Sequence, residues 1–408
     1  MQTTPQPQTN QPPRPTTWVK RPNHKPYVRR ESKPTTGTPA VNSRTNFSKN
    51  NRPSGNRPQN TPTPAAIIPP LAKGDIRIIP LGGTEEIGRN MTMIEYNDQI
   101  VVIDAGVIFS NEEIPGVNYI IPNVTYLRER KHMIKAMVIT HGHLDHIGSI
   151  PFVITDLGNP PIYTREFGSM LIKKRQEEYP DLPELDIRIV ARDDGSIRLS
   201  DDFKVRFFGL THSIPDSTGV IIETPHGDIA STGDVRVENI AGVPTDDEVA
   251  QYKLFKDRKV LLMTMDSTGI PFPGWSLAES IVVKTVDDFI RNTSGRLLIA
   301  TFASQVERII QFIKSAKHYG RYVVVEGRSM KTNIGIVKHL GLTDLGHVID
   351  VEDMHKYPMN KILILATGGQ GEQYSLLDRV SRDTHKFIKL NKTDTIIFSS
   401  SVIPGNDR

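Results

Sequence analysis

Cysteine is absent from all 408 residues. That excludes disulfides and thiolate metal ligands, so any metal held here must be taken by imidazole and carboxylate. Long apolar runs are missing too. None approaches the ~20 residues that a helix needs to cross a bilayer, and the N-terminus lacks the apolar stretch of a signal peptide. The expectation is a soluble, cytoplasmic protein with no membrane partner. Acidic residues are nearly missing from residues 1–73, where 12 Lys and Arg face the single acid Glu31, a charge of +11. The remaining 38 basic and 45 acidic residues leave −7, so the overall +4 hides a division along the chain.

The same first segment holds 15 of the 30 prolines, set among Thr, Asn and Gln. With so few apolar side chains it cannot build a core, which predicts a disordered basic tail over 1–73. Trp18, Tyr27 and Phe47 are interleaved with its charges, a composition suited to weak RNA binding by phosphate neutralisation and stacking. A merely solubilising tail is the alternative.

From DIRIIPLGG onward the texture changes. MTMIEYNDQIVVIDAG reads as a hairpin around Asn97 and Asp98, and GVIIETPHGDIASTGD as another around Gly227 and Asp228. Four strand-like runs end in polar residues, IDAG, ITHGH, LTHS and STGD, which predicts side chains converging at one edge of a sheet or sandwich. After about residue 260 come short apolar runs, VLLMTMDST, RLLIATFAS, YVVVEGRSM, KILILATGGQGE and TIIFSSSVIPGN, alternating with helical stretches. Such runs suit a doubly wound parallel sheet with its five C-terminal loops lining one crevice. Ser276 with Glu279, and Ser304 with Glu307, fit capping boxes.

THGHLDHIGS places His141, His143, Asp145 and His146 within six positions, directly after an apolar run. A turn there can aim His141 and His143 at one divalent ion while Asp145 and His146 address a second, and two ions roughly 3.5–4 Å apart can activate water against a phosphoryl or carbonyl group. Taken alone, His212 is either a further ligand or a capping histidine in its Ser/Pro/Asp loop, and Asp234 after Gly233 is a common turn residue. His132, His226 and His385 lie outside every motif and are expected to be surface or core histidines.

HGHLDH resembles the signature of the metallo-β-lactamase superfamily, and Asp104 in IDAG, His212 in THS and Asp234 in TGD resemble its further motifs in order. LGGTEEIGRNM, TFAS followed by Arg308, EGRSM, TGGQGE and IPGN narrow the resemblance to the ribonuclease J family of the β-CASP nuclease branch, from about Leu81 to the last residue. The resemblance implies an α/β chain: an αββα metallo-β-lactamase sandwich over 74–265, carrying an inserted, doubly wound β-CASP domain, incomplete here, over 266–408. It implies two zinc ions, with manganese as a substitute. His141, His143 and His212 would hold the first, Asp145 and His146 the second, and Asp234 both. Asp145, Asp234 and Asp266 would be the catalytic carboxylates.

Further implications follow from the family. Asp104 and Gly106 would lie in a loop that can bind a structural calcium, with Asp104 supporting the site from behind, although a buried Asp accepting backbone N–H bonds is equally consistent. Asp266 would orient a histidine or a water, or else cap a turn. Ala303, Ser304 and Gln305 would contact a substrate phosphate at a helix start, with Gln305 standing where the family usually has Asn. Glu307, where the family often has His, then reads as a capping residue. The implied activity is hydrolysis of single-stranded RNA, internally and from a 5′ monophosphate end, in RNA maturation and decay, by a protein that is a homo-oligomer at full length. The chain ends at SVIPGNDR, before the family's Ser-Gly-His motif, a later metal-binding His, the returning lactamase strands and the dimerisation region, so a truncated member with an incomplete second metal shell is expected. A truncated RNA-binding protein without catalysis and a small-molecule hydrolase of the superfamily are the alternatives, the latter disfavoured by GRSM and TGGQGE.

Overall fold

Asn97 and Asp98 both take positive φ, 45° and 56°, and join Met91–Tyr96 to Gln99–Ile103 with Tyr96 facing Gln99, the tight hairpin that this residue pair favours. The structure is a computed structural model that describes residues 68–109, 116–190, 196–369 and 375–400. Nearly all of the basic tail expected over 1–73, the Gln370–Glu372 part of TGGQGE and the IPGN stretch lie outside the described residues. The second expected hairpin is displaced. Thr218–Thr224 pairs with Gly227–Ser231, Thr224 facing Gly227, so the turn is Pro225–His226 and Gly227 already belongs to the strand. Gly227 takes φ 134° where the strand leaves the turn, and a Cβ there would stand 2.7 Å from the Lys259 carbonyl, so both its backbone and the close approach of the neighbouring segment call for glycine.

Two sheets face each other. One has the spatial order Ile76–Gly82, Met91–Tyr96, Gln99–Ile103, Ile134–Val138, Ile162–Thr164, Ile187–Ile189, and the other Val260–Thr264, Gly227–Ser231, Thr218–Thr224, Lys204–Gly209, Ser196–Arg198. Val101, Ile103 and Val138 meet Phe203, Val205, Val220 and Ile222 between the sheets. Their neighbours Ile100, Val102 and Met137 pack outward on Leu127, Ile147, Ile150 and Ile154. Phe208, Ile221 and Ala230 do the same on Tyr252, Leu254 and Phe255. Strands buried on both faces read as continuous apolar runs, and the result is the expected αββα sandwich.

A third sheet is parallel throughout, in the order Val348–Ile349, Tyr322–Glu326, Ile362–Ala366, Leu297–Ala300, Thr395–Phe398. Helices Glu279–Asn292, Val306–His318 and Arg328–His339 cover one face through Ile290, Ile309, Phe312 and Ile334. The run VLLMT, grouped by its texture with this sheet, instead joins the sandwich as a parallel neighbour of Gly227–Ser231. The short strand Val348–Ile349 takes the fifth place. Among the described residues, three of the remaining strand ends lie together: the Thr301 hydroxyl donates to the Ser399 carbonyl, and the Thr301 N–H to the Ala366 carbonyl.

The sandwich and the third sheet meet across Phe167 and Ile214 on one side and Val306, Ile310, Ile336 and Val337 on the other. Both expected capping boxes are replaced at this junction. The N–H groups of Glu279 and Ser280 donate to Glu238, each at 3.0 Å, and the Glu307 N–H donates to the Ser213 carbonyl at 3.2 Å. Neither Ser276 nor Ser304 caps its helix. Acceptors from the sandwich reach these helix starts and displace the local serines.

Candidate metal centre

The polar ends of the four expected strands do converge. The Asp104 N–H donates to Val138 and the Thr218 N–H to Thr140, which ties the ends of the two sheets together. A single helical turn, Leu144–Ile147, then turns back under the site, with the Ala105 N–H donating to His146 and the Val107 N–H to Leu144. Gly106 lies inside this weave. A Cβ there would fall 1.5 Å from the Asp145 carbonyl oxygen, so glycine is what lets the two segments touch.

Two ligand groups result. His141 Nε2 lies 3.0 Å from His143 Nδ1, which is 3.3 Å from His212 Nε2. Asp234 Oδ2 stands 4.0 Å from His141 Nε2 and 3.9 Å from His212 Nε2. The other Asp234 oxygen, Oδ1, is 3.1 Å from His146 Nε2, itself 3.4 Å from Asp145 Oδ2. Within each group the ligand atoms all lie within 4.8 Å of one another.

Protonation suits the arrangement. Burial, and then the other imidazoles, hold His141 well below its ordinary value. Burial likewise lowers His143, against the opposing pull of Asp145, and takes His212 down to about 4. Burial would raise Asp234, but His146 and the other histidines hold it at about 2. Asp145, also pushed up by burial, is brought below its ordinary value mainly by His146. His146 runs the other way. Burial lowers it, yet Asp104, Asp145 and Asp234 together raise it well above the usual imidazole range.

Three neutral imidazole nitrogens facing one point at 3.0–3.3 Å cannot all satisfy one another by hydrogen bonds. Tetrahedral metal–nitrogen bonds of about 2.0–2.1 Å would set such nitrogens about 3.3 Å apart. The donor set therefore fits a borderline divalent cation, with Asp234 turned toward both groups.

The remaining candidates divide. Asp104, 4% exposed, has both oxygens engaged: Oδ1 accepts the Thr140 N–H at 2.8 Å, and Oδ2 accepts the Thr140 hydroxyl at 2.9 Å and the His146 Nδ1–H at 2.8 Å. With both oxygens so engaged, its contacts are those of a support behind His146. Asp266 touches no histidine among the described contacts. It accepts the Val235 N–H at 3.3 Å and the Thr268 N–H at 2.9 Å, so it braces the Asp234 loop and caps its own turn. Ala303, Ser304 and Gln305 do stand at a helix start beside the centre, where the Ser304 main chain lies against the His143 ring and opposes the lowering of its pKa. The Ala303 carbonyl accepts from Asn333 at 2.7 Å. His226 bonds the Gly74 carbonyl, and His385 is buried, accepting the Phe387 and Ile388 N–H groups.

One neighbour escaped the sequence reading. Asn90, in LGGTEEIGRNM, brings its amide to 3.1 Å from His146 Nε2. The glycine-rich segment around it was the only available signal.

The chain is similar to known proteins over both parts of the fold. The metallo-β-lactamase superfamily description matches residues 85–291, and the ribonuclease J β-CASP domain matches residues 294–408. Proteins named Ribonuclease J from Mycoplasma pneumoniae and Thermus thermophilus are 37% and 38% identical over 82% and 81% of this chain, each with 59% of its own length covered. The chain thus spans about three fifths of the length of these curated relatives. A solved structure of a protein of unknown function from Enterococcus faecalis aligns over 80% of this chain and 88% of its own, with a TM-score of 0.56 at 16% identity, a likeness of fold. The chain belongs to the metallo-β-lactamase superfamily, in its ribonuclease J branch.

Proposed function

We propose that this chain carries the hydrolytic centre of a metal-dependent ribonuclease that cuts single-stranded RNA phosphodiesters, internally and from a 5′ monophosphate end, in RNA maturation and decay. The observation that carries the reading is the Asp234 carboxylate, with one oxygen turned to each ligand group. His141, His143 and His212 would hold one divalent ion, Asp145 and His146 the other, with zinc the natural choice for this set and manganese a substitute. Divalent ions in these positions supply Lewis-acid activation of water and stabilise charge on phosphoryl oxygens.

The chain's own residues would do the rest. Asp145, whose side chain is 31% exposed, faces solvent and would orient the attacking water. Asp104 holds His146 from behind, and Asp266 steadies the Asp234 loop as a positioning residue. A cleft of ≈ 680 Å³ opens beside His212, lined among others by Thr211, Arg236, Glu279 and Arg308, with room for a nucleotide. Ala303, Ser304 and Gln305 would meet the substrate at the helix start. Calcium at Asp104 and Gly106 gains no support from their contacts, since the Asp104 oxygens are engaged by Thr140 and His146. The proposal includes a cytoplasmic setting and homo-oligomers of the whole protein.

The test is cleavage of a labelled RNA oligonucleotide carrying a 5′ monophosphate or a 5′ triphosphate, before and after chelation and with Asp234→Asn as control. Loss on chelation, restoration by zinc or manganese and a preference for the monophosphate are expected. Cleavage that survives metal stripping, or that Asp234→Asn leaves unchanged, overturns the reading.

A further inference from the structure

Asn90 lies at the end of a segment folded tightly back on itself: Gly83, Glu85, Gly88 and Arg89 all have positive φ. A fork between Arg89 and Glu86, at 2.9 Å through both nitrogens, clamps that segment, and the Gly83 N–H adds a bond to Glu86. The Asn90 backbone is then fixed from both sides. Its N–H donates to the Asp145 carbonyl at 3.0 Å, and its carbonyl accepts the Gly106 N–H at 2.9 Å. Even the amide has a made place, for a Cβ on Gly83 would fall 2.4 Å from Asn90 Oδ1.

The side chain points into the second ligand group. Asn90 Nδ2 is 3.1 Å from the Asp145 carbonyl oxygen, 3.4 Å from Asp145 Oδ2 and 3.1 Å from His146 Nε2. The Asp145 carbonyl can only accept, which assigns the NH2 face of the amide to that side. His146 gives its Nδ1–H to Asp104, so Nε2 is the atom that the ring offers to a cation. One amide therefore donates to the main chain and carboxylate of Asp145 and lies beside the coordinating atom of His146; since a cation would take the Nε2 lone pair, what the amide holds is Asp145. No described hydrogen bond places a comparable amide on His141, His143 or His212.

We propose that Asn90 is a positioning residue of the second ligand group alone: its amide holds the Asp145 carboxylate beside His146 and sets how strongly that group takes a divalent cation. The inference rests on the two-ion reading of the centre. Groups that orient metal ligands are commonly worth about 10–100-fold in affinity. Asn90→Leu keeps roughly the shape and removes the donor, and Asn90→Ala removes both.

The experiment is titration of the metal-free chain with Zn2+ by calorimetry and with Co2+ by visible absorption, on wild type and both variants, with thermal unfolding as a check of folding. The expected result is a second-ion affinity lowered about tenfold or more with a changed Co2+ spectrum for that ion, while the first ion binds as in wild type. Unchanged second-ion binding in both variants, or an equal loss at both groups, overturns the proposal and leaves the nuclease reading standing. A wild-type chain that binds no divalent ion overturns both.

Discussion

Asp234 shares one carboxylate between His212 and His146, with Oδ2 3.9 Å from the first ring and Oδ1 3.1 Å from the second. The charge on that carboxylate is secure, since the histidines hold its pKa at about 2 although burial opposes them. Asp234→Asn keeps the shape and removes both the charge and one ligand oxygen. Both ions are expected to bind more weakly, by about 10–100-fold or more, and RNA cleavage to fall at least in proportion. Metal content after dialysis, measured by elemental analysis, checks the first claim. Loss of only one ion would show that Asp234 serves a single group.

The two groups differ in how protons compete with metal. His212 is protonated only near pH 4, and His141 and His143 are also lowered, so acid has little effect on the first ion until the pH approaches that value. His146 is raised well above the ordinary range, and its Nε2 must lose a proton before it can bind metal. Below the raised value, affinity for the second ion falls by about tenfold for each pH unit. As pH drops, the second ion should leave first, and a calorimetric titration repeated across pH would show two separated losses. Simultaneous loss would contradict the opposite shifts.

Glu238 gives the junction its own prediction. Its carboxylate accepts the first N–H groups of the helix Glu279–Asn292. Burial pushes Glu238 up, but bonds from Ser280 and Glu279 bring it below its ordinary value. Glu238→Ala is expected to cost about 0.5–2 kcal/mol in urea unfolding at neutral pH, the usual worth of a helix cap. A depressed carboxylate contributes stability above its unfolded value and loses it as pH falls through the folded value. The gap between variant and wild type should therefore close in acid below about pH 4. A gap that is constant with pH would mean that packing, not the ionised cap, is what the variant removes.

The residues that were legible in advance are those whose chemistry is local. Asn97–Asp98 forms its hairpin because the pair itself tolerates positive φ, and His141 and His143 lie directly before the single helical turn Leu144–Ile147 that carries Asp145 and His146. What escaped depends on distant partners. Ser276 and Ser304 look like caps, but Glu238 and Ser213 arrive from other segments and take the helix N–H groups. VLLMT has the texture of a strand from the third sheet, and only its neighbour Gly227–Ser231 puts it in the sandwich. Asn90 carries no signal of its own, since its contact with His146 spans 56 residues and depends on the folding of the loop before it.

Asp104 and His146 provide the most exacting test of the site's framework. Asp104 is buried and accepts three bonds, from the Thr140 N–H, the Thr140 hydroxyl and His146 Nδ1–H. Asp104→Ala leaves those donors in the interior without an acceptor and takes the nearest negative charge from a histidine that needs it. Breaking a buried pair in this way costs about 3–5 kcal/mol, so a large drop in the urea midpoint is expected. Asp104→Asn should rescue little, because its NH2 must face one of the same donors. In metal titrations, both variants should weaken the second ion more than the first, since among the described histidines only His146 bonds to Asp104. A midpoint within about 1 kcal/mol of wild type, or equal weakening of both ions, would show that Asp104 is not what orients His146.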